Sequence, residues 1–177
     1  MPTISRILVP VKKPDAKILP AVEKAEQLAL AFGAGIELFN ATARPIYTGR
    51  VGRGIGVGEQ VANTHRLRTK SRLEAIAGPI RKRGVTVHTH AGWDSPPAEA
   101  IVRRAARIKG DLIVSECHAD EHRGAWLLRL TDRKLLLLSA VPLLLVKSKR
   151  LYSIRCDVLV VKPPGFAGPV GRSSQKK

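Results

Sequence analysis

The chain has 177 residues, of which 44% are hydrophobic, and this is enough for one domain with a buried core. Its charge is less ordinary, because 31 lysines and arginines face 14 aspartates and glutamates and give a formal net charge of +17. No apolar run is long enough to span a bilayer, the first residues lack a signal peptide, and two cysteines are too few for a disulfide scaffold, so we expect a cytoplasmic protein.

The first forty residues predict a strand, a helix and a second strand. An apolar run at residues 5–11 indicates a buried strand. Asp15 is a candidate helix cap, and residues 19–32 then carry apolar side chains at helical spacing. The run at residues 36–41 indicates the second strand.

A glycine-rich loop and a long helix are predicted next. The loop, residues 44–58, could cradle a phosphate, but its glycine spacing matches neither the dinucleotide-binding nor the P-loop pattern, so a linker is the favoured alternative. The helix is predicted over residues 59–83. Four basic residues at two-residue steps point to different sides of this helix, which favours a solvated face over a binding stripe; they are Arg66, Arg68, Lys70 and Arg72.

Residue types that bind metals recur in the second half of the chain: His88, His90, Cys117, His118 and His122. The first two lie in residues 84–90, which alternate like a strand, and they would share one face of it. No recognised metal-ligand spacing connects the five residues. We therefore predict no metal site.

Two further helices complete the pattern. Asp94, followed by two prolines, is a candidate cap for a helix whose apolar face covers residues 98–106. The apolar runs 112–114 and 141–146 flank a segment with leucines at helical spacing, which predicts parallel strands with a right-handed crossover. The expected fold is a three-layer α/β sandwich with a five-stranded parallel sheet and about four helices.

A ligand of such a sheet lies beyond the carboxyl ends of its strands. This places a candidate cleft at Pro10, Val11, Cys117 and His118. The last two are a nucleophile and a base by type, but adjacent residues at a strand end point apart. We therefore predict that the protein is not an enzyme.

Four stretches resemble the universal stress protein family: ILVPV near the start, GDLIV, the step from it into a leucine-rich helix, and AVPLLLVK. The resemblance covers residues 4–147 in element order. It implies a parallel sheet in the strand order 3-2-1-4-5 and a homodimer formed through the last strand.

Many members of that family bind ATP, and the chain departs from their pattern. Lys12 stands where those members have an aspartate after the first strand. Their glycine motif after the fourth strand falls here on Glu116, Ala119, Arg129 and Leu130. Glycines let a triphosphate approach the backbone, whereas Glu116 would place a negative charge beside it. The resemblance thus implies the branch that does not bind ATP, similar to tandem-domain members, with no cofactor.

Lys12 and Arg129 nevertheless join the candidate cleft residues. An arginine can hold a phosphate through charge-assisted hydrogen bonds, although the glycine cradle is missing. A small-ligand or nucleotide-binding sensor is therefore an alternative function. Its cleft would use Pro10, Val11, Lys12, Cys117, His118 and Arg129.

The tail resembles the last strand of a second such domain. Residues 155–163 echo residues 140–147, and the link between them is too short for a parallel crossover. We expect the tail strand to pair antiparallel with the edge at residues 143–147, or to swap onto a partner chain. A loosely packed apolar tail is the alternative.

The sequence predicts three regions and one dimer interface. Residues 1–147 form the stress-protein-like domain, residues 148–164 an appended strand, and residues 165–177 a disordered basic tail. The homodimer is expected to use Val141, Leu143, Leu145 and the tail strand Val158–Val161.

The leading functional hypothesis is a non-enzymatic stress-response protein that acts as a dimer. A field of +17 attracts polyanions, so weak polyanion binding is also expected. A basic protein associated with nucleic acid or a membrane surface is the remaining alternative.

Overall fold

The computed structural model of the protein describes residues 4–42, 55–117, 130–147 and 158–161. Six strands and four helices lie in these ranges. In chain order they are β1 (Arg6–Pro10), α1 (Pro20–Phe32), β2 (Gly35–Thr42), α2 (Ile55–Lys82), β3 (Val87–Trp93), α3 (Pro97–Arg107), β4 (Leu112–Cys117), α4 (Leu130–Leu138), β5 (Leu143–Lys147) and β6 (Val158–Val161).

All six strands form one sheet in the order β3-β2-β1-β4-β5-β6. The first five are parallel, which confirms the predicted five-stranded sheet of order 3-2-1-4-5. Strand β6 lies antiparallel to β5, from the pair Leu143 and Val161 to the pair Val146 and Val158. The predicted disorder of residues 165–177 lies outside the described residues.

Helices cover both faces of the sheet, so β1 is enclosed at its centre. Ile7 and Val9 face α1 and α2, where they pack in one core cluster with Ala25 and Leu73. Leu8 faces the other way, into a second cluster that includes residues of α3 and α4. Because both faces are covered, β1 is a continuous apolar run rather than an alternating one.

One carboxylate joins the amino ends of two neighbouring strands. Asp111 directly precedes β4, and its Oδ2 accepts hydrogen bonds from the Ser5 N–H at 2.9 Å, the Ser5 hydroxyl at 2.7 Å and the Arg6 N–H at 2.9 Å. Burial by itself would raise the pKa of Asp111, but these hydrogen bonds together lower it. The aspartate therefore holds the start of β1 against β4 in its ionised form.

Two predicted helix caps are wrong. Asp94 does not cap α3, whose N-cap residue is Pro96; its carboxylate instead pairs with Arg103 of that helix. Asp15 does not cap α1, which begins after Leu19, and it also forms an ion pair. In both cases an arginine brought close by the fold competes for the carboxylate.

Two predicted boundaries move by a few residues. Helix α2 begins at Ile55, four residues earlier than predicted, and continues through Pro79 to Lys82. The strand predicted at residues 84–90 is β3, residues Val87–Trp93, because Gly84 takes a left-handed turn with φ of +91° after the helix. Within the described residues, none of the helices has the length and apolar character needed to cross a membrane.

Candidate functional site

The carboxyl ends of β1 and β2 place a polar loop beside the sheet. The Val11 N–H donates to the Phe39 carbonyl oxygen at 2.7 Å, so the pairing of β1 with β2 continues one residue past the strand. Val11 is consequently buried in the core. Lys12 is the first residue whose side chain leaves the sheet and reaches solvent.

Asn40 fixes where this loop begins. It is a residue of β2, only 5% exposed, and its Nδ2 donates to the Val11 carbonyl oxygen at 2.7 Å. A buried amide that binds a loop carbonyl holds the loop in one position against the strand. Asn40 was not predicted from the sequence, although an asparagine within an apolar strand is a recognisable signal.

Helix α2 supplies the facing wall. His65, Thr69 and Arg72 are spaced at i, i+4 and i+7, and therefore lie on one face of the helix. The Arg72 Nη1 contacts Asp15 Oδ2 at 2.7 Å, which joins the helix to the loop after β1. The imidazole of His65 also lies 5.7 Å from the indole of Trp93, at the end of β3.

Loop and helix enclose a cleft of about 530 Å³, which is within the range of small-molecule sites. Among the described residues, the lining at pH 7 combines two lysines and an arginine with one aspartate, and its most buried polar residues are neutral. The lining residues are Lys12, Lys13, Pro14, Asp15, Ala16, Asn40, Ala41, His65, Thr69 and Arg72.

Of the six predicted cleft residues, the structure describes four, and only Lys12 of these four lines the cleft. Lys12 lines the cleft, whereas Pro10 ends β1 and Val11 packs in the core. Cys117 is the last residue of β4, with Lys147 of β5 as its register partner. His118 and Arg129 lie outside the described residues.

The other face of the sheet carries a second polar cluster. Arg104 of α3 pairs with Glu37 of β2 at 2.5 Å, with only 17% and 9% of their side chains exposed. His90 lies nearby and stacks on Phe39 with a centroid separation of 5.8 Å. Burial, and then the positive charge of Arg104, lower the pKa of His90, so its neutral form is favoured.

Of the five residues with metal-binding side chains, His88 and His90 lie on the same strand, β3. As predicted, they share one face of β3, but His88 is exposed while His90 is packed against Phe39. Among the residues that the structure describes, no three histidine, cysteine, aspartate or glutamate side chains are grouped so that they could hold a metal ion.

Comparison with known proteins gives one family and several solved structures of similar fold. The model of a family described as the universal stress protein family matches residues 3–147. No curated protein matches the chain. Solved structures do: a candidate universal stress protein from Pseudomonas aeruginosa is 20% identical with a TM-score of 0.63, covering 83% of this chain and 45% of that one.

Two further structures match over their whole length. The universal stress protein UspA from Lactobacillus plantarum is 16% identical with a TM-score of 0.63, covering 84% of this chain and 100% of that one. The universal stress protein from Archaeoglobus fulgidus in complex with dAMP is 18% identical with a TM-score of 0.51, covering 81% and 98%. At these identities the likeness is one of fold, and the chain spans less than half the length of the Pseudomonas protein.

Proposed function

This chain belongs to the universal stress protein family, and on that premise we propose that it is a non-enzymatic stress-response protein that does not hold ATP on a glycine cradle. The observation that carries the proposal is the side chain at the second position after β1. Lys12 occupies the position where ATP-binding members resembling this chain have an aspartate. Its side chain is exposed and lines the cleft.

Glu116 supports the same proposal from the neighbouring strand. It is the penultimate residue of β4, half-buried, with Val146 of β5 as its register partner. A carboxylate at the carboxyl end of β4 repels the phosphates of a nucleotide that a glycine would admit. The bulk and charge of this position therefore disfavour a triphosphate.

Kinship with tandem-domain members is part of the proposal. Its support is the tail, which repeats the pattern of β5, and the match to less than half of the Pseudomonas aeruginosa structure. A chain that equals one domain of a two-domain relative would give such coverage. We propose that β6 stands where the last strand of a second domain would lie.

A homodimer is also proposed, through the β5 and β6 side of the sheet. Leu143 and Leu145 are buried in the second core cluster of the same chain, and Val141 packs against it half-buried. These side chains therefore pack within their own domain, behind the edge formed by β5 and β6. The main chain of β6, Val158–Val161, is what a partner would pair with, or the strand that would be exchanged.

The ATP proposal is tested by titrating the purified protein with ATP and magnesium in a calorimeter, followed by thermal melts at 1 mM nucleotide. We expect neither saturable heat nor a shift in Tm. A ligand present at 100 times its Kd would stabilise the fold by about 2.7 kcal/mol, so binding could not pass unnoticed. Stoichiometric ATP binding in the micromolar range would overturn the proposal.

A nucleotide sensor remains the second candidate function. It is favoured by the Archaeoglobus fulgidus neighbour, which was solved with dAMP, and by a cleft of sufficient size in this chain. Under this alternative the protein binds a nucleoside monophosphate while still rejecting ATP. Parallel melts with AMP, dAMP and ATP separate the two functions, since only the sensor gives a shift that is selective for the monophosphates.

A further inference from the structure

We propose that the outer edge of β3 binds an extended, acidic segment of a partner protein, which adds to the sheet as a further strand. This edge lies on the opposite side of the sheet from β5 and β6. Strand addition takes its affinity from main-chain hydrogen bonds and its selectivity from the side chains along the edge. The inference goes beyond the functions and the dimer proposed above and does not depend on them.

The register of β3 decides which of its main-chain groups are available to a partner. The Ile36 N–H of β2 donates to the Thr86 carbonyl oxygen at 2.8 Å, so Thr86 faces β2. The N–H and carbonyl groups of successive strand residues point alternately towards and away from a neighbouring strand. Every second residue of β3 therefore presents its main chain outward. These residues are Val87, Thr89, Ala91 and Trp93.

Arg81 occupies the first of these outward positions. Its Nε and Nη2 donate to the Val87 carbonyl oxygen at 2.9 and 2.7 Å. Its Nη1 donates to Glu74 Oε2 at 2.6 Å, and Glu74 also accepts a hydrogen bond from the Thr89 hydroxyl. In the part of the chain that the structure describes, no main-chain hydrogen bond is made on the outward side from Thr89 to Trp93. An added strand is thus confined to this stretch.

Arginines flank the open stretch from both faces of the sheet. Arg104 is paired with Glu37, whereas Arg66 of α2 and Arg107 of α3 are exposed and form no ion pair with any described residue. Burial and the charge of Arg104 lower the pKa of His90 most. Arg107 and Arg66 lower it further, so their charges act on the middle of β3. The edge therefore has a surplus of positive charge.

This surplus decides between the possible occupants. A second copy of the chain would bring its own arginines against the edge, and like charges across a strand pair are destabilising. A nucleic acid satisfies arginines but has no row of amides and carbonyls that pairs with a strand. An extended segment with carboxylates at alternate positions does both, because its acidic side chains all lie on one face, beside the arginine of that face.

The test uses the full chain and a short synthetic peptide in which valine and glutamate alternate. Amide hydrogen exchange is measured residue by residue by NMR, with and without the peptide. We expect the amides of Thr89 and Ala91 to exchange at least about tenfold more slowly with the peptide, because they then donate to the added strand. The amides of His88 and His90 face β2 and are the internal control, whose exchange should stay within about twofold.

The contribution of charge is tested by a double variant, Arg66→Gln with Arg107→Gln. It should bind the peptide about tenfold more weakly, since one exposed ion pair contributes about threefold to affinity. The matched control is Lys24→Gln with Arg133→Gln. It removes two positive charges from α1 and α4, which pack elsewhere than on β3, and its affinity should stay within about twofold of the unchanged protein.

A peptide N-methylated at every amide separates strand pairing from charge. It keeps the carboxylates but loses the donors and the close approach of two strands, so it should not bind. Equal binding of the methylated peptide, unchanged exchange at Thr89 and Ala91, or equal affinities of the two double variants would overturn the proposal. So would displacement of the peptide by a random DNA duplex without any slowing of exchange, or slow exchange of these amides through self-association alone.

Discussion

At the scale of single residues, the hydrogen bonds of Asp111 give the most specific prediction for the free energy of unfolding. Its Oδ2 accepts three hydrogen bonds from Ser5 and Arg6 at the start of β1. Hydrogen bonds to a charged group contribute more than neutral ones, so Asp111→Ala should lower the free energy of unfolding by about 1–3 kcal/mol. Chemical denaturation at pH 7 measures this loss. Asp111→Asn keeps an acceptor oxygen without the charge and should lose less.

The same aspartate predicts an acid dependence. Because the folded state lowers its pKa below the ordinary value of 3.8, Asp111 contributes stability above that pH, and this contribution disappears as the pH falls through the folded-state pKa. Asp111→Asn should therefore lose less stability between pH 5 and 3 than the unchanged protein. If Asp111→Asn and the unchanged protein lose the same stability on acidification, the hydrogen bonds of Asp111 to Ser5 and Arg6 do not form in solution.

His90 gives a prediction of the same sign but at higher pH. Its folded-state pKa is lowered from 6.5 by burial and by Arg104, and the folded state therefore binds a proton less readily than the unfolded chain. Stability should rise with pH through the region of 6.5 and fall as the solution is acidified. The other charged groups that affect His90 are Glu37, which opposes the shift, and Arg107 and Arg66, which add to it.

Thermal melts of His90→Phe between pH 7.5 and 5.5 check this prediction. A phenylalanine can keep the stacking on Phe39 but cannot take up a proton, so the melting temperature should depend less on pH. His88→Gln, two residues along the same strand face, is the control and should retain the slope. Identical slopes in all three proteins would contradict the assignment to His90.

At the scale of elements, β6 determines how the sheet ends. Its four register pairs with β5 contribute about 0.2–1 kcal/mol each, so the strand as a whole stabilises the domain by about 1–4 kcal/mol. A chain cut after residue 147 should lose about this much and expose the β5 edge. Hydrogen exchange at the amides of Leu143–Lys147 should then become faster, with increased self-association in size-exclusion chromatography.

A second truncation controls for the loss of chain length. A chain cut after residue 164 keeps β6 and removes only the last thirteen residues, and it should leave exchange in β5 unchanged. If the shorter chain protects these amides as well as the longer one, the pairing of β5 and β6 is absent in solution. If the longer chain protects these amides only when it is dimeric, β6 pairs with β5 of a partner chain instead of its own.

The elements also show how far the sequence could predict the fold. Buried parallel strands are continuous apolar runs and the helices between them have clear periodicity, so element order followed from local patterns. The strand order came from the resemblance to the universal stress protein family. The caps at Asp15 and Asp94 were mispredicted because each carboxylate forms an ion pair with a helical arginine instead. For Asp15 the partner is Arg72 of α2, which is distant in the chain, and local pattern contains no information about it. For Asp94 the partner is Arg103 of α3, and that helix begins at Pro97 after an N-cap at Pro96, so the cap was predicted too early in the chain.

The candidate site was less predictable for the same reason. The strand ends were predicted as the location of a ligand because parallel sheets bind ligands there. Lys12 was found because it stands where the ATP-binding members of the family have an aspartate. The wall at His65, Thr69 and Arg72 was not found, since the basic residues of α2 were interpreted as a solvated face. Which side of that helix meets the end of β2 is decided by the packing of Leu73 and Ala77 in the core.

At the scale of the whole molecule, the net charge of +17 predicts non-specific association with polyanions. Binding to a duplex of random sequence should be detectable at 50 mM salt and should weaken about a hundredfold by 200 mM if about four phosphates are neutralised. Gel shifts over this range measure the slope. Affinity that is insensitive to salt would indicate a specific nucleic-acid site, and no binding at 50 mM would show that the charge is dispersed.

Strand β1 is synthesised before every other described element, yet Ile7, Leu8 and Val9 at its centre are completely buried in the finished molecule. Its partner on one side, β4, is held to it by the contact of Ser5 with Asp111, which are 106 positions apart in the chain. Until the ribosome has synthesised β4, the side chains of Ile7, Leu8 and Val9 are not fully buried. Such distant pairing slows folding, and the growing polypeptide should therefore depend on chaperones that shield apolar segments during translation.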